Sequence, residues 1–205
     1  RETDALTMYD YLWRWDTDWF WCSGAFGAQN RWARRVWPRR FRRSDVYHRL
    51  LPLDARIGVS TVLNRVKGVS GVEKVIQDVE VPVQALPDFL AWFDAEVGMR
   101  PVWLCPLRTT RQWPLYPLSP GETYVNVGFW GQVEVPADSP PGAVNRRIED
   151  RVHALGGHKS LYSEAFYDEK TFHDLYGGDV LSAVRHRYDP QGRLSTLYEK
   201  AVRNS

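Results

Sequence analysis

The run KVIQDVEVPV at residues 74–83 decides the fold class of this chain. Its apolar residues are β-branched and alternate with polar ones, which is typical of a strand with one buried face. Working outward, residues 85–97 carry apolar side chains at helical spacing, with Pro87 in the first turn and Gly98 as a stop. The chain therefore changes from a strand period to a helix period within a few residues.

The same alternation of periods continues as far as residue 167. A proline-rich loop separates two further predicted strands, and a second helix and a fourth strand follow, at residues 100–108, 122–131, 143–155 and 159–167. This β-α-β-β-α-β order predicts an α+β fold of the ferredoxin-like type. We expect a four-stranded antiparallel sheet with both helices on one face.

Composition and patterning divide the chain into three segments. We expect an irregular and helical segment rich in aromatic residues and arginine at 1–72, a ferredoxin-like domain at 73–168 and a helical tail at 169–205. The net charge of +2 is too small to indicate nucleic-acid binding. Two cysteines exclude a disulfide framework and favour a reducing compartment. No apolar run approaches the ~20 residues of a membrane span.

Strand alternation sorts the side chains of the predicted sheet between its two faces. We expect the following residues under the helices: Val75, Val79, Val81, Val83, Val125, Val127, Phe129, Leu161 and Ala165. We expect the following on the open face: Ile76, Asp78, Glu80, Tyr124, Asn126, Trp130, Tyr162, Glu164 and Phe166. A face that collects carboxylates, an amide and aromatic rings is either solvated or docks on a partner domain or a ligand.

Four short segments resemble a known family, in the same order and at similar spacing. They are VIQDVEVP at 75–82, PVWLCPL at 101–107, YVNVG at 124–128 and LYSE at 161–164. They are similar to the C-terminal part of the Diminuto or delta-24 sterol reductases, which are vanillyl-alcohol-oxidase-like flavoproteins. The match runs over residues 9–200, and Trp-Leu-Cys-Pro at 103–106 is its most specific piece.

The resemblance implies a function. In this family an N-terminal domain binds FAD, and a ferredoxin-like cap lays its open sheet face over the isoalloxazine ring. The chain would then be the C-terminal cap of an FAD-dependent oxidoreductase, with its own N-terminal FAD-binding domain as partner. That enzyme would reduce a C=C bond, or oxidise an alcohol, of a sterol- or lipid-like substrate. NADPH is the family's usual hydride donor, and the fragment alone would be inactive.

The resemblance also implies site residues. Double-bond reduction needs a hydride at one carbon and a proton at its neighbour. A tyrosine hydroxyl, or a carboxylic acid with a pKa raised by desolvation, can supply that proton. We expect the catalytic residues to be Tyr162, Glu164 and Asp78, and the cofactor-binding residues to be Asn126, Tyr124, Trp103 and Arg187. Each of them can instead make a structural hydrogen bond. Residues 187–194 would return to the FAD domain, or form an Asp-Pro turn between helices.

The remaining motifs leave alternatives open. The segment from Arg31 to Arg43 contains seven arginines and no acid, so it is a solvated or interdomain face, a membrane-surface contact or, least expected, a nucleic-acid site. We expect a cytoplasmic protein, peripheral to the membrane if this segment binds lipid. Cys105 is expected to be an inert core residue, and the histidines lack metal-ligand spacing. The competing function is a ferredoxin-like RNA- or lipid-binding module without chemistry.

Overall fold

The structure is a computed structural model of the 205-residue chain. It describes residues 71–203 continuously, together with residues 5, 7, 8, 31–36, 38, 41, 46, 49, 50, 52 and 53. The chain divides into two compact units, Arg1–Ser70 and Gly71–Ser205. In the first unit, helix α1 spans Arg31–Val36, and the side chains of Trp32 and Val36 are exposed. The other predictions for residues 1–70, including most of those for the arginine-rich segment, concern residues outside the described part of the chain.

The second unit contains the predicted sheet. Its strands are β1 (Gly71–Pro82), β2 (Trp103–Leu107), β3 (Tyr124–Val135) and β4 (His158–Lys159). They lie in the order β2-β3-β1-β4, and every neighbouring pair is antiparallel. The α+β, ferredoxin-like expectation is confirmed. β3 and β1 are the two inner strands, and Val75, Val79 and Val81 of β1 are fully buried on one side of the sheet.

Both predicted helices pack on the same side of the sheet. Helix α2 spans Leu86–Glu96 and helix α3 spans Ala143–Ala154. Their buried residues share one hydrophobic core with the valines of β1 and with the inward side chains of β3. The rings of Phe93 and Phe129, for example, lie 4.6 Å apart between centroids. In the described part of the chain, α2 and α3 both lie on this side, and we call the opposite side the helix-free face.

One polar side chain lies inside this core. Gln77 shares the inward side of β1 with the valines and is fully buried. Its Nε2 atom donates to Asn145 Oδ1 of α3 at 2.7 Å, and Asn145 Nδ2 donates in turn to the backbone carbonyl of Lys74 at 2.8 Å. Partnered polar groups in a core cost little and restrict how elements pack, so this pair sets the register of α3 against β1.

The fourth strand is much shorter than the sequence predicts. β4 contains two residues, whereas a strand was expected at 159–167, and the following chain turns away from β1. The backbone groups of this segment find other partners. The Phe166 N–H donates to the Glu149 carboxylate of α3 at 3.1 Å, and the Ala165 N–H donates to the Ala201 carbonyl at 2.9 Å. These tertiary hydrogen bonds replace the strand pairing.

The C-terminal part of the unit forms a second small core. Helix α4 spans Glu169–Leu175, helix α5 spans Gly178–Tyr188, and a π-helical turn follows at Glu199–Arg203. Phe172, Tyr176 and Ala201 pack around Ala165, which was expected under the sheet helices and instead belongs here. Val83 was expected there too, but it opens a 3₁₀ turn after β1 and is exposed.

Candidate functional site

Cross-strand pairs organise the helix-free face of the sheet into rows, because directly opposed residues of antiparallel strands point to the same side. One row crosses all four strands and contains His158, Glu80, Asn126 and Cys105. The next row crosses three strands and contains Asp78, Gly128 and Trp103. The two rows differ sharply in their exposure.

The first row is covered. The loop between β2 and β3 (residues 108–123) brings Tyr116 over Glu80, and the Tyr116 hydroxyl donates to Glu80 Oε2 at 2.5 Å. Ser160, just after β4, donates to Glu80 Oε1 at 3.0 Å, and Asn126 Nδ2 donates to the same oxygen at 2.9 Å. Glu80 is only 3% exposed as a result. This end of the face is therefore closed by the chain itself.

Burial dominates the electrostatics of the covered row. It raises the pKa of Glu80, against the opposing effect of the hydrogen bonds from Tyr116, Asn126 and Ser160. It also raises the pKa of Tyr116, and the nearby Glu80 charge adds to this rise. Burial lowers the pKa of His158 to about 4, so its imidazole is neutral at neutral pH. The His158 ring lies between Tyr116 and Tyr176, with centroid distances of 4.5 and 4.7 Å.

The second row is accessible. Trp103 is 39% exposed, and its ring centroid lies 6.4 Å from that of Trp130. Between Trp103 and Asp78 the row has Gly128, and a methyl group there would lie 2.6 Å from Trp130 Cη2 and in collision with Asp78 Oδ1. Because Gly128 has no side chain, the Trp130 indole and the Asp78 carboxyl group can both occupy the space above it.

Tyr162 completes this accessible site from the turn after β4. Its hydroxyl interacts with the Trp130 side chain and with the charge of Asp78. Burial and that charge raise the pKa of Tyr162 to about 12, so the phenol keeps its proton at neutral pH. Burial likewise raises the pKa of Asp78, and Asp78 Oδ1 is a buried atom without a hydrogen-bond partner in the described part of the chain. The site thus combines a proton donor, an unused acceptor and exposed aromatic surface.

The structure brings together three of the seven residues expected from the sequence, namely Asp78, Tyr162 and Trp103. Tyr124 and Asn126 share the face but are buried beneath the loop. The Tyr124 hydroxyl bonds to the Glu122 carboxylate at 3.2 Å. These two residues already have partners within the chain.

The other two expected residues lie elsewhere. The Glu164 side chain is exposed, its carbonyl accepts from Lys159 Nζ, and its charge acts on Lys159, which faces the helices. It does not join Asp78 and Tyr162, because the predicted strand that would have carried it to that face is absent. Arg187 is exposed on α5, with its guanidinium 5.3 Å from the Tyr188 ring centroid. The following turn has the Asp-Pro form, with Asp189 accepting from two backbone N–H groups.

Sequence reasoning missed Tyr116 and Ser160, which close the covered row. Tyr116 belongs to the run WPLYP at 113–117, and a large aromatic residue between prolines was the available signal. No sequence pattern around Ser160 indicated that it would contact Glu80. Cys105 lies half-buried at the end of the covered row. Among the described residues, no group of His, Cys, Asp and Glu side chains has the geometry to hold a metal ion.

Comparison with known proteins finds sequence similarity to curated sterol reductases. No protein-family model matches the chain, and no solved structure matches it significantly. Human Delta(24)-sterol reductase is 24% identical over 135 residues, which is 62% of this chain and 25% of the relative. The rat enzyme is 25% identical over 135 residues, with the same coverage. The Arabidopsis thaliana enzyme is 27% identical over 146 residues, which is 62% of this chain and 26% of the relative.

The matched part thus corresponds to about a quarter of the length of these curated relatives. It nevertheless confirms the resemblance indicated by the four sequence segments. Over 62% of its length, the chain is similar to curated proteins named Delta(24)-sterol reductase.

Proposed function

We propose that this chain is the cap part of an FAD-dependent oxidoreductase that reduces a C=C bond of a sterol- or lipid-like molecule. The observation that carries the proposal is the accessible row of the helix-free sheet face. There Trp103 and Tyr162 expose aromatic surface, and Asp78 Oδ1 has no hydrogen-bond partner among the described residues, in a chain similar to known reductases. The cap would lay this row over the flavin, with an N-terminal FAD-binding domain as its partner.

The residues of this row suit the ring part of FAD. A flat heteroaromatic ring needs apolar surface for its face and hydrogen-bonding groups for its edge. Trp103 and Trp130 provide the first, and Asp78 Oδ1, which has no partner in the described residues, provides an acceptor. The sequence has no glycine-rich phosphate-binding motif, so the diphosphate would be held by another domain. We expect the 205-residue chain alone to bind FAD weakly.

Tyr162 is the proposed proton donor. Bound FAD, reduced by NADPH, would supply the hydride for one carbon of the double bond. The Tyr162 hydroxyl, with its pKa of about 12, is protonated at neutral pH and would deliver the proton to the neighbouring carbon. Asp78 interacts with this tyrosine through its charge and would orient the hydroxyl or return its proton. The two transfers together add the elements of H₂ across the bond.

A lipid-like substrate would bring the protein to a membrane surface. Among the described helices, none has the length and apolar character needed to cross a bilayer. We propose a cytoplasmic protein that contacts membranes peripherally through its arginine-rich segment. Trp32 of helix α1, which opens that segment, is 75% exposed, as expected for an interfacial residue. Arginines beside interfacial tryptophan favour anionic lipid over water.

The proposal is tested first by the coding sequence that precedes residue 1, where a flavin-binding domain is expected. The intact protein should then purify with flavin absorbance, and NADPH should bleach it. Trp103→Ala should alter the flavin spectrum or weaken flavin retention, whereas Trp113→Ala, in an equally exposed loop position, should not. An intact protein that binds no flavin would disprove the proposed function. Stoichiometric flavin in the 205-residue chain would show that the binding determinants lie here instead.

A further inference from the structure

Four oxygen atoms of three side chains close a ring through three hydrogen-bond contacts in the covered row of the sheet face. The Tyr116 hydroxyl lies 2.5 Å from Glu80 Oε2 and 2.9 Å from Ser160 Oγ, and Ser160 Oγ lies 3.0 Å from Glu80 Oε1. All three contacts are within hydrogen-bonding distance. The ring joins a loop, the central strand and the turn after β4 at one buried point.

Counting protons in this ring identifies the state of Glu80. Each oxygen–oxygen contact needs one hydrogen, so the ring needs three. The hydroxyls of Tyr116 and Ser160 provide one each. With an ionised carboxylate, one of the three contacts would hold two oxygens together without a hydrogen between them. A proton on Glu80 supplies the third: the carboxyl group then donates to one of the two hydroxyls, and that hydroxyl turns to donate to the other, so that every contact in the ring contains one hydrogen.

The surroundings of the carboxyl group favour the same state. Among the residues that the structure describes, the groups that face it are Tyr116 from the loop, Asn126 from β3 and the β4 segment's His158 and Ser160, with Tyr176 of the C-terminal core nearby. None of these carries a positive charge at neutral pH, because burial keeps His158 neutral. On its own strand, the nearest titratable neighbour on this face is Asp78, also an acid. Lys159 points to the opposite side of the sheet, where it pairs with Glu149.

We propose that Glu80 is protonated at neutral pH and fastens the loop 108–123 over the sheet face, so that ionisation of Glu80 loosens the loop. Two of its residues reach the interior of the unit, since Tyr116 bonds to Glu80 and Leu118 is 2% exposed. Most of its other side chains are exposed, so Tyr116 is the polar anchor of the loop on the sheet. The inference is independent of the proposed reductase activity.

The direction of the coupling follows from solvation. The loop itself desolvates the Glu80 carboxyl group, so the covered state prefers the neutral acid. An ionised Glu80 is better solvated when the loop has moved away. By linkage, each pH unit between the Glu80 pKa of the open state and its higher pKa in the covered state shifts the covered–open equilibrium up to tenfold towards the open state.

Carbon-13 NMR of the glutamate carboxyl groups in the 205-residue chain tests the first half of the proposal. The Glu80 signal, assigned by backbone correlation, should titrate with a midpoint above pH 7. Exposed glutamates such as Glu134 provide the comparison in the same spectra. A Glu80 midpoint near the ordinary value of about 4.3 would overturn the proposal.

Hydrogen exchange of the loop amides tests the second half. Glu80→Gln replaces the acid by a neutral group of the same shape, so its loop should stay protected at every pH. Comparison of the two proteins at equal pH removes the intrinsic pH dependence of exchange. As the pH rises from the ordinary carboxyl pKa of about 4.3 towards the Glu80 midpoint, exchange of the wild-type loop should increase relative to the Glu80→Gln loop by up to tenfold per pH unit, and the difference should then level off.

Two tyrosine variants complete the design. Tyr116→Phe removes the anchoring hydroxyl and should expose the loop at every pH, whereas Tyr188→Phe, an exposed tyrosine on α5, should change nothing. If Glu80→Gln does not fold, the wild-type titration and Tyr116→Phe still decide the outcome. Equal loop exchange in the wild type and Tyr116→Phe across the pH range would refute the fastening role of the ring.

Discussion

The Lys159 ammonium group lies 2.7 Å from the Glu149 carboxylate, and both side chains are almost completely buried. The pair joins β4 to α3, and it also binds the segment that follows β4. Glu149 accepts from the Phe166 N–H, and Lys159 donates to the Glu164 carbonyl. Burial raises the pKa of Glu149 and lowers that of Lys159, while their mutual attraction opposes both changes. Together with the Ala165–Ala201 hydrogen bond, this pair therefore holds the chain that follows the sheet.

Removing one partner of this pair should be strongly destabilising. Lys159→Met leaves the Glu149 carboxylate buried without its cation, which should lower the free energy of unfolding by about 3–5 kcal/mol. Denaturant titration measures this change. The exposed pair of Arg100 and Asp94 is the matched control, and Arg100→Met should hardly move the midpoint. The double variant Lys159→Met/Glu149→Leu should recover part of the loss, and a single variant as stable as the wild type would contradict the assignment.

Gly128 should be intolerant of a side chain. Gly128→Ala places a methyl group against Trp130 and Asp78, and relief of this overpacking should cost about 1–3 kcal/mol. Near-ultraviolet circular dichroism should also report a moved indole. Gly131 lies in the same strand, where a methyl group would meet only the flexible Met99 side chain at 3.4 Å. Gly131→Ala should therefore leave both stability and spectrum nearly unchanged, and equal effects of the two substitutions would argue against a special role for Gly128.

The stability of the protein should depend on the ionisation of Glu80. Its pKa is higher in the folded chain than in the unfolded chain, so the folded state binds more protons between these two values. Stability should therefore fall as the pH rises from the ordinary carboxyl pKa of about 4.3 towards the folded value, by at most about 1.4 kcal/mol per pH unit. Denaturation of the wild type and Glu80→Gln between pH 5 and 9 measures it.

His158 contributes in the opposite direction and must be separated from Glu80. Its pKa of about 4 in the folded protein is below the ordinary value of 6.5. Its contribution to the free energy of unfolding therefore increases as the pH rises between these two values. The difference between the wild type and Glu80→Gln cancels this contribution, because both proteins contain His158. A difference that does not change with pH would rule out a raised pKa for Glu80.

Tyr162→Phe tests proton donation in the intact enzyme. The variant keeps the ring and loses the hydroxyl, so stability should change by about 1 kcal/mol at most. Loss of a general acid typically costs about 10²–10⁴ in rate, so turnover should fall by that order while flavin reduction by NADPH stays fast. Stopped-flow measurement separates the two half-reactions. Tyr188→Phe is the control, and normal turnover of Tyr162→Phe would make Tyr162 a structural residue.

The arginine-rich segment should bind anionic vesicles in a salt-dependent way. Reversal of Arg39, Arg40, Arg42 and Arg43 to Glu should abolish sedimentation with vesicles that contain phosphatidylserine, since attraction to a charged surface decays within a Debye length of about 10 Å at 0.1 M salt. Circular dichroism should show an unchanged fold. If the variant still binds, the segment would instead belong to an interdomain face.

The valine alternation of β1 was enough to predict which side of the sheet is covered by helices. Val75, Val79 and Val81 are fully buried, as the period of two required. The same period placed Glu80 and Asp78 on the opposite face. These are local properties, because successive side chains of any strand point to opposite sides. The two-residue alternation of apolar side chains therefore identifies a strand and its buried face without information from the rest of the chain.

The end of the fourth strand and the cover over Glu80 depended on tertiary contacts. The segment after Lys159 has strand-like alternation, but Glu149 and Ala201 take its backbone hydrogen bonds. Tyr116 reaches Glu80 across 36 positions of the sequence. Such contacts exist only after the sheet, α3 and the C-terminal turn have packed together. Sequence alone determined which residues share a face of the sheet, and packing decided which of them remain accessible, because burial depends on groups that are distant in the chain.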